Sequence, residues 1–329
     1  MSDGLALPSF EVHAPELRAM ARSAMPKLSA KSAILLDFTS GTVLFGKSIH
    51  QRLPPASTTK IMTALLTLEQ GQLQSQVTIS PLAAGQIGTR MGLAAGERLT
   101  VGELLYGLLL PSGNDAAMAL AQQDAPSVQA FVDRMNAKAR ELGLADTHFV
   151  NPHGLDDPAH LSSANDLARL ARYALRSEPL FDEYVSIPHF VIAAGLGHPA
   201  FDLTSLNQLL GSYPGADGVK TGTTPAAGEV LVGSATRDGH RLLVVVMASE
   251  DRYADARVVL DNGFANDVWL RPDRFFPYAL PVVVRDTAEA VLPVWEASQV
   301  QAFLDPDQLS ASFTLAGREV LKVPLDLPA

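Results

Sequence analysis

The sequence predicts an α/β fold: an antiparallel sheet flanked by helices, with an all-helical insertion and a small β-rich domain after it. Three observations predict it. Strand-like segments stand near both ends of residues 29–270, and helical periodicity fills most of the interval between them. Beyond residue 270 the texture changes to short strands separated by turns. A length of 329 residues suits roughly two domains of ~150 residues. The expected division is a leader segment at 1–28, a main domain at 29–270 and a small β-rich domain at 271–329.

The elements follow in order. Ser32-Ala33-Ile34-Leu35-Leu36-Asp37-Phe38 reads as a strand, Thr39-Ser40-Gly41 as a turn, and Thr42-Val43-Leu44-Phe45 as the returning strand. Pro54-Pro55 suits an extended approach to a helix that starts near Ser57 and runs to about Gln70-Gly71. Residues 72–200 are expected to be mostly helical. Thr100-Val101-Gly102-Glu103 is a capping box opening a helix that Pro111 stops. Asn114-Asp115 begins the next helix, so Ser112-Gly113-Asn114 occupies a tight link, and two more helices are expected at about 126–142 and 163–176. Strand character returns at Gly218–Thr223 and Glu229–Thr236. Asp238-Gly239 makes a hairpin turn, Arg241–Ala248 is a buried strand, and a helix from about Arg252 to Phe264 follows. The last region offers Pro281-Val282-Val283-Val284, Ala290–Val294, Ser312–Leu315 and Val320–Val323 as strands.

Composition narrows the function classes. A 47% hydrophobic, 18% charged chain can build a large core. A net charge of −10 without a Lys/Arg-rich run argues against a nucleic-acid partner. The absence of cysteine excludes disulfides, Cys-ligated metal and a thiol nucleophile. Met1-Ser2-Asp3-Gly4 has neither the basic start nor the apolar stretch of a secretory signal, and no run reaches the ~18 apolar residues of a membrane span. Two possibilities stay open: a cytoplasmic protein, or an exported one whose signal and any anchor are absent from this chain.

The chemistry centres on Ser57-Thr58-Thr59-Lys60. Residues at i and i+3 share a helix face, so hydroxyl and amine can meet, and a neutral lysine can deprotonate a serine nucleophile. By itself the spacing more commonly marks an N-capping serine with a solvent-facing lysine. Downstream, Ser112-Gly113-Asn114 and Lys220-Thr221-Gly222 stand in order, each on a suitable element.

This ordered set resembles that of penicillin-binding proteins and class A β-lactamases. Asn151-Pro152-His153-Gly154-Leu155, the glycine at Gly113 and the run Gly215–Thr223 make the chain most similar to the serine D-alanyl-D-alanine carboxypeptidases, the low-molecular-mass penicillin-binding proteins. The likeness covers about residues 30–265, and a trailing β domain is typical of the family. It implies the β-lactamase/transpeptidase-like fold and hydrolysis of the terminal D-alanine of peptidoglycan stem pentapeptides through a Ser57 acyl-enzyme. It also implies covalent inhibition by β-lactam antibiotics, no cofactor and no metal. The expected catalytic residues are Ser57, Lys60, Ser112, Asn114 and Lys220. Lys60 is the base, its pKa depressed by burial and Lys220; Ser112 relays a proton to the leaving amine; and Asn114 holds the substrate amide. Lys220, Thr221, Gly222, Thr223 and Arg252 are expected to bind substrate. The resemblance puts the Thr223 and Ser57 amides in the oxyanion hole, and it matches Arg252 to a carboxylate-binding arginine, for which a surface salt bridge is the alternative.

His153 is expected to be structural. His160 with Asp166 faintly resembles a metal pair of zinc peptidases, but an ordinary loop is the expectation, and Asp156-Asp157-Pro158 reads as a solvated turn. A β-lactamase would need a Glu-x-x-Leu-Asn segment after the middle motif, and Glu141-Leu142-Gly143-Leu144-Ala145 fails it. An endopeptidase on the same scaffold and an inactive peptidoglycan-binding module are the competing functions. The substrate then implies a bacterial, extracytoplasmic protein, with membrane attachment through a segment absent from this chain left open.

Overall fold

The computed structural model describes residues 27–270, 283–284, 288–297, 299–305 and 308–326, which divide into two compact units between Leu260 and Asp261. Residues 1–26, nearly all of the expected leader, and Pro281-Val282 of an expected strand lie outside the described residues.

The larger unit opens with strands β1 (Ser32–Asp37) and β2 (Val43–Lys47) as the expected hairpin. A single 3₁₀ turn, Ala56–Thr59, leads straight into helix α1 (Lys60–Glu69). Every residue of α1 from Lys60 to Leu68 is buried, as expected of a helix that is apolar nearly all round. Strand β3 (Gln76–Thr78), the short helix α2 (Pro81–Ala84), strand β4 (Arg98–Thr100) and helices α3 (Val101–Leu109), α4 (Asn114–Asp124) and α5 (Val128–Glu141) follow. The Thr100–Glu103 capping box is present in both directions. Helix α6 (Ala164–Ser177) is capped by Ser163 and lays its buried face, including Leu167, Leu170, Ala171 and Ala174, against β1 and β9 (His240–Ser249).

Residues 72–200 carry more strand than expected. Strands β3 and β4 pair, and helix α7 (Pro179–Ser186) is followed by a second pair, β5 (His189–Ile192) with β6 (Phe201–Thr204). Pairs this short lack the run length on which periodicity depends. The Pro at the first position of α7 was its available signal.

Strands β7 (Ala216–Thr224) and β8 (Gly228–Arg237) complete a five-stranded antiparallel sheet in the order β2-β1-β9-β8-β7. The first strand of the unit therefore pairs with its last, and β2 and β7 form opposite edges. Helix α8 (Arg252–Asn266) begins after Asp251, whose carboxylate accepts from the amides of Tyr253 and Ala254.

In the smaller unit β10 (Asp267–Leu270) pairs with β12 (Ala290–Pro293), ahead of the short helix α9 (Val294–Ala297). Strands β11 (Val283–Val284), β13 (Gln301–Asp305), β14 (Ser310–Leu315) and β15 (Arg318–Asp326) form a sheet in the order β11-β15-β14-β13. Its core includes Leu270, Leu292, Phe313 and Val323.

Candidate active site

Ser57 lies inside the 3₁₀ turn and makes no cap hydrogen bond, while Lys60 is fully buried. A capping serine with a solvent-facing lysine is thereby ruled out. Lys60 Nζ lies 2.9 Å from Ser57 Oγ, 2.7 Å from Asn114 Oδ1 and 2.8 Å from the His153 carbonyl oxygen. Asn114 Oδ1 and the His153 carbonyl can only accept. A neutral amine, with two N–H groups, satisfies those two and is left with its lone pair toward Ser57 Oγ. Burial first, then the charge of Lys220, holds the Lys60 pKa well below its ordinary value, against a smaller upward pull from Asp115.

The second wall is the link between α3 and α4. Ser112 takes a left-handed conformation (φ 62°) and lines the cleft, and its buried Oγ has no hydrogen-bond partner among the described residues. Gly113 is required here, because a Cβ would fall 2.6 Å from Asp115 Oδ1 and 2.9 Å from the Met91 amide. The Asp115 carboxylate gathers the amides of Met91, Gly92 and Leu93. Asn114 Nδ2 donates to the Ile87 carbonyl at 2.6 Å, and Thr89 Oγ1 to that of Ser112 at 2.7 Å. These bonds fix Asn114 Oδ1 toward Lys60 and hold Gly88 and Thr89 at the cleft.

Edge strand β7 is the third wall. A Cβ on Gly222 would lie 2.8 Å from the Ser57 amide nitrogen, so glycine lets the strand backbone close on the nucleophile. Buried Lys220 donates to the Thr221 carbonyl at 3.1 Å, and its pKa is pushed down to about 7 by burial and then by Arg252. Arg252 Nη1 donates to the Gly222 carbonyl (2.8 Å) and Thr223 Oγ1 (2.9 Å), and Arg252 Nη2 lies 3.6 Å from Glu229. Arg252 thus has an acidic partner and also lines the cleft.

The cleft measures about 440 Å³ and is lined by Ser57, Ser112, Asn114, Thr221, Gly222, Thr223 and Arg252. Lys60 and Lys220 lie beneath its surface. The fold thus brings together every residue named from the sequence. Sequence reasoning missed Leu206, Gln208 and Tyr253, which also line the cleft. Tyr253 Oη donates to the Leu206 carbonyl and accepts from the Gln208 amide, tying the 206–208 loop to α8. No local pattern marks such a loop; Tyr253, next to Arg252, was the one available pointer.

The Asn151–Leu155 motif works through its backbone. Lys60 Nζ donates to the carbonyl of His153, whose ring is kept neutral chiefly because burial lowers its pKa to about 3, reinforced by Lys60 whenever that amine is protonated. Gly154 (φ 91°) passes so close to the turn that a Cβ would lie 1.9 Å from the Ala56 carbonyl oxygen. His160 accepts from the Val150 amide at Nδ1 and meets Thr59 Oγ1 at Nε2, bracing the same turn. Asp166 accepts from the Asp146 amide and Thr147, so it braces a loop. Among the described residues no group of three or more His, Asp or Glu is placed to hold a metal ion. Asp156 is exposed as expected for a turn, yet its carboxylate accepts from Thr224 Oγ1 and the Ala226 amide, joining this loop to the end of β7.

Residues 19–251 match the peptidase family described as D-alanyl-D-alanine carboxypeptidase. The chain belongs to that family. It is 38% identical over 250 residues to D-alanyl-D-alanine carboxypeptidase DacF of Bacillus subtilis, covering 72% of this chain and 62% of that relative's length. The crystal structure of the Streptomyces K15 DD-transpeptidase superposes with a TM-score of 0.71 at 34% identity, over 74% of this chain and all of that one. D-alanyl-D-alanine carboxypeptidase DacD of Francisella tularensis, at 24% identity and a TM-score of 0.77, covers 94% of this chain and 95% of its own, and shares the fold. Family membership and the three-walled cleft agree: the serine, both lysines and the middle motif all fall within the matched residues.

Proposed function

We propose that the chain is a serine D,D-carboxypeptidase that removes the terminal D-alanine of peptidoglycan pentapeptide stems through a Ser57 acyl-enzyme. The observation that carries this reading is Lys60 Nζ, buried and held by two obligate acceptors so that its third direction meets Ser57 Oγ. Neutral Lys60 takes the Ser57 proton as Oγ attacks the scissile carbonyl. The Ser57 amide, against which β7 closes at Gly222, and the Thr223 amide receive the developing oxyanion. Ser112, which lines the cleft and whose Oγ is unpartnered among the described residues, passes a proton to the departing amine. Asn114 positions both Lys60 and the substrate amide.

The C-terminal carboxylate of the substrate meets the positive wall formed by Lys220, Thr223 and Arg252. Two N–H donors of a Lys220 ammonium are free among the described residues to take part. Water then cleaves the acyl-enzyme. A β-lactam supplies the same carbonyl and carboxylate but leaves no segment to depart, so it stays on Ser57. The substrate places the working protein outside the cytoplasmic membrane of a bacterium. Among the described residues no helix is long and apolar enough to cross a membrane.

Incubation with a pentapeptide ending in D-Ala-D-Ala should release D-alanine, and fluorescent penicillin should label the protein. Ser57→Ala should abolish both with the fold retained, a loss on the order of 10³-fold or more. Labelling of that variant, or rapid penicillin turnover by the native protein, would overturn the reading.

A further inference from the structure

The opposite edge of the sheet carries a second and larger cleft, of about 610 Å³, which the reaction above does not use. It lies between α6 and the β1–β2 hairpin. With β2 and β7 at the two edges of five strands, it is about 19 Å from the Ser57 side in strand spacings alone. Arg169, Arg172 and Arg176 of α6 line it, together with an apolar surface that includes Leu36, Val43 and Tyr173. The spacing i, i+3, i+7 sets the three on one helix face, spanning about 10 Å.

In a chain of net charge −10 such a cluster would be expected to hold carboxylate partners. Among the described residues none of the three is in a salt bridge; each donates to backbone carbonyls instead. Arg169 bonds those of Leu142 and Gly143, Arg172 those of Phe38 and Thr39, and Arg176 that of Thr39. Asp37 acts on Arg172 through its charge, but its carboxylate accepts from the Ser40 amide and hydroxyl. Carbonyls hold a guanidinium in place without neutralising it. They leave each arginine at least three of its five N–H groups for another ligand. Gly41 and Gly143 make room for this, since a Cβ at either would lie 3.1 Å from Arg172 Cζ or 3.3 Å from Arg169 Nη2.

We propose that this cleft is a second binding site, for a phosphate-bearing ligand with more than one negative charge. Fixed guanidinium groups on one face, none bonded to a carboxylate among the described residues, match tetrahedral oxyanions, and the span along α6 exceeds what a single ion would use. The cavity also has room for an apolar portion against Tyr173 and Val43. A soluble phosphorylated molecule and an anionic lipid headgroup offer the same chemistry.

The test uses the full chain at low salt. Inorganic tripolyphosphate is titrated by calorimetry, and vesicles of phosphatidylglycerol or phosphatidylcholine are used in co-sedimentation. Arg169→Gln/Arg176→Gln is compared with native protein, and Arg176→Glu serves as a second variant, since Arg176 has one carbonyl contact and an exposed side chain. Penicillin labelling at Ser57 should be unchanged in both, which separates failure of this site from failure of the active-site reading. Tripolyphosphate binding that weakens about tenfold or more in the variants supports the proposal with a soluble source. Variant-sensitive sedimentation with phosphatidylglycerol alone supports it with a headgroup source. Binding of neither probe, or binding equal in native and variant proteins, overturns it.

Discussion

At the β7 edge of the sheet two lysines are taken out of water, whereas at the β2 edge three arginines are kept near it. Lys60 and Lys220 are buried within the walls of their cleft, and burial is the main reason both pKa values fall. Arg169 and Arg176 are exposed and Arg172 half-buried, each anchored by carbonyls. An ammonium loses its proton when desolvated, while a guanidinium stays charged in any site a protein offers. One edge therefore holds a group able to change protonation during a reaction, and the other a charge fixed for recognition.

Exchanging the two kinds of cation is the sharpest way to break this contrast. Lys60→Arg places a permanent charge beside Ser57, and penicillin acylation should fall on the order of 10²–10⁴-fold, with circular dichroism confirming the fold. Acylation near the native rate would mean that Lys60 is not the base.

The pH profile is the next test. In the proposed mechanism Lys60 acts when neutral, so kcat/KM should rise with pH on the acid side, through a pKa below the ordinary lysine value. In the same proposed mechanism Lys220 binds the substrate carboxylate as an ammonium, so kcat/KM should fall as pH rises through about 7, where it loses its proton. Lys220→Arg should move the alkaline limb upward, because arginine keeps its charge. A falling limb that stays in place would assign it to another group.

The smallest effect compares two glycines. Gly154→Ala drives a Cβ into the Ala56 carbonyl, which is backbone and cannot step aside, and should cost about 1–3 kcal/mol by denaturant unfolding and slow acylation. Gly41→Ala meets the movable end of Arg172, so its cost should be nearer the ~1 kcal/mol of a left-handed alanine, with acylation unchanged. Equal costs would show that steric contact at the nucleophile turn does not govern the difference.

The same contrast explains what was legible beforehand. The lysine site repeats a short ordered vocabulary, and Ser57, Lys60, Ser112, Asn114 and Lys220 could be named from it. The arginine cleft has no such vocabulary: Arg169, Arg172 and Arg176 look like the solvated face of an amphipathic helix until the hairpin turn is laid across the last two and the Leu142–Gly143 carbonyls meet the first. Leu206 and Gln208 were hidden for a similar reason, since a loop is placed by what it bonds, here Tyr253. The short pairs β3–β4 and β5–β6 escaped because three or four residues cannot display a period.

By itself the sequence determined the antiparallel sheet, the main helices and the identity of the groups proposed to react. Alternation, capping residues and motif spacing are local, and they act before any long-range contact forms. Tertiary structure decided the state of those groups. Lys60 is set up for the proposed role of base because α1 is enclosed and because His153 and Asn114, distant in sequence, claim two of its three directions. Desolvation depends on everything packed around a side chain, so no segment of sequence can specify it alone.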